Sequence, residues 1–147
     1  MRWRASRPQL KRDPLDSANY SMPGIRIRDL DGTSLAFDLR ELLHVLGPEA
    51  LSSSWKCVVE QYVPADSARP NLADEYENSS GVDGAALVAL AAETRQVIDG
   101  RFEAFRRSEI EPWLRLEAID STYWEIFATN ADDLTRFRRK FRNIEDL

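Results

Sequence analysis

Two short alternating runs near the C-terminus constrain the fold of this chain more than any other feature. Leu114, Leu116 and Ala118 alternate with Arg115 and Glu117, and Trp124, Ile126 and Ala128 alternate with Glu125 and Phe127. A period of two belongs to a strand with one buried face, because successive side chains leave the pleated backbone on opposite sides. With Ser121-Thr122 at the turn, Trp113–Asp120 and Tyr123–Ala128 are expected to close as a hairpin. Its apolar face then needs a covering layer. Its outer face would carry Trp113, Tyr123 and Phe127 among charges.

The covering layer is legible as amphipathic helices. Asn130 or Thr129 is expected to cap a helix over 131–144, with Asp132 and Asp133 in the first turn and Arg and Lys in the last turns, as the helix dipole favours. Leu134, Phe137, Phe141 and Ile144 make one stripe at helical spacing; Arg136 and Arg139 point to the opposite side. Asp38 with Glu41 three residues on is a capping-box pattern. It opens a helix with Leu39, Leu42, Leu43 and Leu46 on one side, ended by Gly47-Pro48. Ser80 is expected to cap an Ala-rich helix over Gly81–Thr94 that packs through Leu87, Leu90 and Ala91, its Ala side allowing close approach to a sheet.

The remaining strands follow the same logic. Ile25–Asp29 alternates Ile against Arg, and Asp31-Gly32 is a hairpin signal. A three-residue loop, Leu30-Asp31-Gly32, sets Ile27 opposite Leu35 and Ile25 opposite Phe37 on the return strand Thr33–Leu39, with Gly32 at positive φ. Ser54–Val63 puts Trp55, Cys57, Val59 and Val63 on one face. Val97–Phe105 reads as one strand with a bulge at Asp99-Gly100. Pro64–Ser80 is polar and acidic and reads as a long loop. The expected order is ββαβαββ(β)α, an α+β domain with a mainly antiparallel sheet of about five to six strands and three helices on one face. Trp55, Leu116, Ile126, Phe137 and Phe141 are expected to share the core.

At 147 residues and 43% hydrophobic, the chain is the length of one domain with a real core. Residues 23–147 would form it, preceded by an irregular basic arm over 1–22. Charge is segregated: residues 1–12 and 135–142 each carry five basic residues and no acid, whereas 13–134 hold 10 basic and 23 acidic residues. Such layout informs about partners more than about fold.

Composition also excludes chemistry. One cysteine, Cys57, precludes an internal disulfide and a Cys-cluster zinc site, and one histidine, His44, precludes mechanisms that need two. Cys57 reads as a small core residue and His44 as a surface one. There is no phosphate-binding loop, dinucleotide fingerprint, nucleophile elbow or His-Glu-x-x-His. No catalytic, cofactor or metal residue is assigned. No apolar run reaches the length of a membrane span, and no secretory signal is evident, so the expected compartment is the cytoplasm.

The expectation is therefore a non-enzymatic intracellular protein that acts through protein–protein contact, immunity- or antitoxin-like, with an acidic surface that complements a basic partner. Its interface candidates are Trp3, Asp74, Glu75, Tyr76, Glu77, Trp113, Tyr123, Arg136 and Arg139. Trp3 would anchor the arm, and Asp74, Glu75, Tyr76 and Glu77 would form the acidic loop. The alternative is a nucleic-acid-associated accessory protein using the arm and the C-terminal helix. A third is a small enzyme with a carboxylate site, for which Asp74, Glu75 and Glu77 are the candidates.

Overall fold

The structure, a computed structural model, describes residues 3–4, 22–77 and 80–147, with Trp3, Arg4 and Ser80 described by their backbone. It is α+β. Its strands are β1 (Trp3–Arg4), β2 (Gly24–Ile27), β3 (Leu30–Asp31), β4 (Ser34–Leu35), β5 (Ser54–Pro64), β6 (Ser80–Asp83), β7 (Thr94–Phe105), β8 (Leu114–Ile119), β9 (Tyr123–Ala128) and β10 (Ile144–Asp146). Its helices are α1 (Leu39–Leu46), α2 (Pro48–Ser52), α3 (Leu72–Glu77), α4 (Gly84–Ala92) and α5 (Ala131–Lys140). The main sheet runs β1-β5-β7-β8-β9-β2-β10, with β6 also on β5, and every pairing is antiparallel. β3 and β4 form a separate two-stranded ribbon.

The alternating runs close as the expected hairpin, and the structure sets it at the centre of the sheet. Leu116 opposes Ile126, and Ala118 opposes Trp124. Ile119–Thr122 forms the turn, closed by the Thr122 N–H on the Ile119 carbonyl at 2.9 Å, with positive φ at Asp120 and Ser121. Two contacts from β7 hold it: the Asp120 N–H donates to Asp99 Oδ1 at 2.9 Å, and the Ser121 N–H to the Ile98 carbonyl at 3.0 Å. β7 is one continuous strand, as expected. The irregularity falls on its neighbour, where Val59 opposes Gly100 and Gln61 opposes Asp99, leaving Glu60 as the extra residue.

One face of the sheet carries Ile25, Ile27, Trp55, Phe102, Leu116, Trp124 and Ile126 into a single buried cluster. Leu42, Leu87, Leu134 and Phe137 enter that cluster from the helices. Trp55, Leu116, Ile126, Phe137 and Phe141 all belong to it, as does Cys57.

The structure corrects the expected elements at several points. β2 pairs with β9 and β10, so Ile27 lies opposite Trp124 and Ile144, not Leu35. Leu35 faces Leu30 in the small ribbon, whose turn is Gly32-Thr33. Gly32 does take positive φ, +66°. Five helices stand where three were expected. Pro48 opens α2 as its first residue instead of closing the chain down, because a helix's first turn needs no proline N–H. Residues 72–77 are helical, not loop. Ser80–Asp83 pairs with Ser54–Lys56, so α4 begins at Gly84 with Asp83 as cap. Gly84 sits against the end of α2, where an added Cβ would lie 2.2 Å from the Ala50 carbonyl oxygen.

The last helix stops at Lys140, four residues early. The Asp29 carboxylate accepts the backbone N–H groups of Arg142 and Asn143, and Ile144–Asp146 then completes the sheet on β2. Asn130 caps α5 as expected, accepting the Asp132 N–H at 3.0 Å. Of the basic arm, Trp3–Arg4 is a strand opposite Gln61 and Tyr62; residues 1–2 and 5–21 lie outside the described residues.

Candidate protein-contact surface

α4 is the least ordinary element of the helix layer. Its sequence, Gly-Ala-Ala-Leu-Val-Ala-Leu-Ala-Ala, contains no polar side chain. A helix apolar all round is normally enclosed on every side. Here Gly84, Leu87, Leu90 and Ala91 are buried, as expected for its packing face, while Ala85, Ala86, Val88, Ala89 and Ala92 are exposed. The Ala side faces water and not the sheet, which corrects the expectation.

Grooves lie on both sides of this ridge. One, about 630 Å³, has an apolar floor of Leu43, Pro48, Leu51, Val88 and Ala91. Arg40, Glu41, His44 and Lys140 rim it. Leu51 and Val88 stand in it 52% and 39% exposed. The other, about 590 Å³, has Val82, Ala86, Ala89 and Leu90 along its floor. Its rim is Arg69, Asn71, Asp74, Glu75 and Asp83. Arg69 is already committed: it forks onto Glu75 through two 2.7 Å bonds and onto Glu93 through bonds of 2.6–2.9 Å. Those hydrogen bonds hold the Glu93 carboxyl below its ordinary pKa range. Asp74 and Asp83 are exposed on the same rim. Burial, then the charges of Glu77 and Asp74, push the Tyr62 phenol up.

The sequence candidates do not form one surface. Asp74 and Glu75 line the acidic groove, and Glu77 is exposed beyond it. Tyr76, between them in sequence, points the other way. It is buried, with its hydroxyl 2.6 Å from Thr94 Oγ1, so it is a core residue. Trp113 is also buried; its indole N–H donates to Ser53 Oγ at 3.0 Å and Arg106 covers its ring at 4.3 Å. Tyr123 is half-buried beneath the guanidinium groups of Arg26 and Arg28, at 4.3 and 5.4 Å. Phe127 lies over Gly24, whose missing side chain makes room for the ring. Arg136 pairs with Glu49 and Asp133 and donates to the Leu46 carbonyl, fastening α5 to the end of α1. Arg139 is exposed. The Trp3 side chain is outside the described part.

The sheet face away from the helices is charged. Arg101, Glu117, Glu125, Arg26 and Glu145 oppose one another in a row across five strands. The next row contains Lys56, Glu103, Arg115 and Phe127. Arg115 is wholly buried, with Nε 3.4 Å from Glu117 Oε1, and Arg26 holds Glu125 at 2.8 Å. These carboxylates are engaged by arginine. No group of three or more metal-ligating side chains occurs among the described residues.

Sequence reasoning missed Leu51, Val88 and the exposed alanines. The signal was present: nine residues without a polar side chain cannot all face inward from a helix on one side of a sheet. No family model, curated protein or solved structure matches this chain. No helix among the described residues is long and apolar enough to cross a membrane.

Proposed function

We propose that this chain is a non-enzymatic, cytoplasmic protein-binding domain that acts by covering a surface of another protein, in the manner of immunity proteins and antitoxins. The observation that carries this reading is α4, an uncharged helix with five exposed residues set between two grooves. Contiguous exposed apolar surface marks interaction sites, and an apolar centre inside a charged rim is the composition of a protein interface. The carboxylates of Asp74, Asp83 and Glu77 beside the second groove favour a partner with basic residues and speed its approach. Two basic residues of the last helix are already engaged within the fold, which favours the protein reading over a phosphate-binding one at those two positions. Arg136 spends its charge on Glu49 and Asp133, and Arg138 spends its charge on Asp146.

The test is affinity capture from the native host with the wild-type chain and with Asp74→Lys/Asp83→Lys. A basic protein retained by the wild type and lost with the double variant is the expected result. Capture indifferent to the two substitutions, or no protein partner at all, overturns the reading.

A further inference from the structure

We infer that the resting occupant of the α4 ridge is a second copy of this chain, joined about a two-fold axis that runs along α4; the inference rests on the reading of this surface as a protein-contact site. The two flanks carry the argument. Successive helical residues turn by roughly 100°. That rotation sets Val88 and Ala91 on one flank and Ala86 and Leu90 on the opposite one, with Ala85, Ala89 and Ala92 along the crest. The grooves follow this division, one lined by Val88 and Ala91, the other by Ala86, Ala89 and Leu90.

The flanks differ in sign. Among the described residues, the Val88 side is rimmed by Arg40, Glu41, His44 and Lys140; Arg40 and Glu41 pair with each other at 2.8 Å, so Lys140 gives this rim its net positive charge. The Ala86 side is rimmed by Asp74, Glu75 and Asp83, with Arg69 as its base, and that base is taken up by Glu75 and Glu93. A closed dimer needs one patch that complements itself. A two-fold axis along α4 carries each flank onto the opposite flank of the other copy, so the basic rim meets the acidic rim twice. An axis across α4 would set each rim against its own like, which charge repulsion disfavours.

The apolar parts fit the same arrangement. No crest side chain extends beyond Cβ, so two α4 backbones come close, at an interaxial distance of about 8 Å. Leu51 stands exposed on the basic flank. In this arrangement it lies over the Val82, Ala86 and Leu90 floor of the second copy's groove. A basic protein partner then competes with the second copy for the acidic groove.

Sedimentation equilibrium of the purified full chain across a wide concentration range tests the dimer. The wild type should reach twice the 16.8 kDa of one chain. Ala89→Arg, a long charge on the crest, should return it to single-chain mass with an unchanged circular dichroism spectrum. Lys140→Glu and Asp74→Lys should each weaken self-association roughly tenfold or more, by opposing like charges twice. Mixing the two variants should restore the dimer, since each then presents the other with an opposite charge. Single-chain mass for the wild type at every concentration, a dimer indifferent to Ala89→Arg, or a mixture no tighter than its parts overturns the proposal. A monomeric wild type that still captures a host partner through Asp74 and Asp83 overturns the dimer alone. A monomer that captures nothing overturns the protein-contact reading with it.

Discussion

The backbone N–H of Val97 donates to Asp38 Oδ1 at 3.0 Å, tying the start of α1 to β7 across 59 residues of sequence. The same side chain's Oδ2 is buried and has no hydrogen-bond partner among the described residues. Burial is the main cause that raises the Asp38 pKa from 3.8 to about 7, opposed by the Val97 and Leu39 N–H groups. Glu41, which accepts the Asp38 backbone N–H at 2.8 Å, adds to the rise, and Arg40 subtracts from it.

Stability should therefore fall with pH in a window set by this group. A carboxyl whose folded pKa is raised contributes stability that is fully present below its unfolded pKa and lost as pH climbs through the folded one. From well below pH 4 to well above pH 7 the loss expected from Asp38 is on the order of 4 kcal/mol. Urea denaturation at pH 5 and pH 8 should show the wild type weaker at pH 8, and Asp38→Asn should flatten that difference. An equal slope in both proteins would show that Asp38 does not titrate in this window.

Two turn positions should respond in opposite directions. Ser121 is a non-glycine residue at φ +61°, and Gly32 is a glycine at +66°. Left-handed backbone costs a residue with a side chain roughly 1–2 kcal/mol. Ser121→Gly should raise the melting temperature, with a gain of about 0.5–1 kcal/mol. Gly32→Val should lower stability by about 1 kcal/mol or more, from conformation alone, because nothing lies within 4 Å of the added Cβ. Thermal melts of the two variants check both signs.

Gly84→Ala is expected to be costly for a different reason. Its Cβ would meet backbone, the Ala50 carbonyl oxygen at 2.2 Å and that of Leu51 at 2.5 Å. α2 and α4 would have to separate, at about 1–3 kcal/mol or more. Denaturant midpoints measure this. A cost below 0.5 kcal/mol would mean that the two helices slide freely.

Phe141→Ala should cost about 3–5 kcal/mol. The ring is buried, 4.7 Å from that of Phe37, and follows the last turn of α5 just before the chain leaves for β10. A variant that melts close to the wild type would show that α5 is held by Leu134 and Phe137 without it.

The hairpin of β8 and β9 was legible because both of its strands alternate and its turn is short, so one local pattern fixes both register and face. β2 was not legible in the same way. Ile25 and Ile27 alternate identically whichever strand lies beside them, and the nearby Asp31-Gly32 signal belongs to the small ribbon. Tyr76 reads as surface from its acidic neighbours. In a six-residue helix, however, one residue can point inward while Asp74, Glu75 and Glu77 point out. α4 misled for the converse reason: alanine is neutral between burial and exposure, so its pattern names the packed residues without naming the bare ones. Of the proposed contact surface, the acidic rim is legible in the sequence as the cluster that holds Asp74 and Glu75. The basic half, Arg40 and Lys140, comes from two helices about 100 residues apart in sequence, and only folding brings them to one groove.

The charged pairs between β7 and β8 on the outer sheet face favour the native alignment of those two strands. A slip of one residue between β7 and β8 is resisted by the core, since it turns every apolar side chain to the wrong side. A slip of two residues escapes that penalty, because it keeps each side chain on its own face. In the native alignment Arg101 faces Glu117 and Glu103 faces Arg115. Moved two residues one way, Arg101 would face Arg115; moved two the other way, Glu103 would face Glu117. Like charges directly opposite are destabilising, so both nearest same-face misalignments meet repulsion.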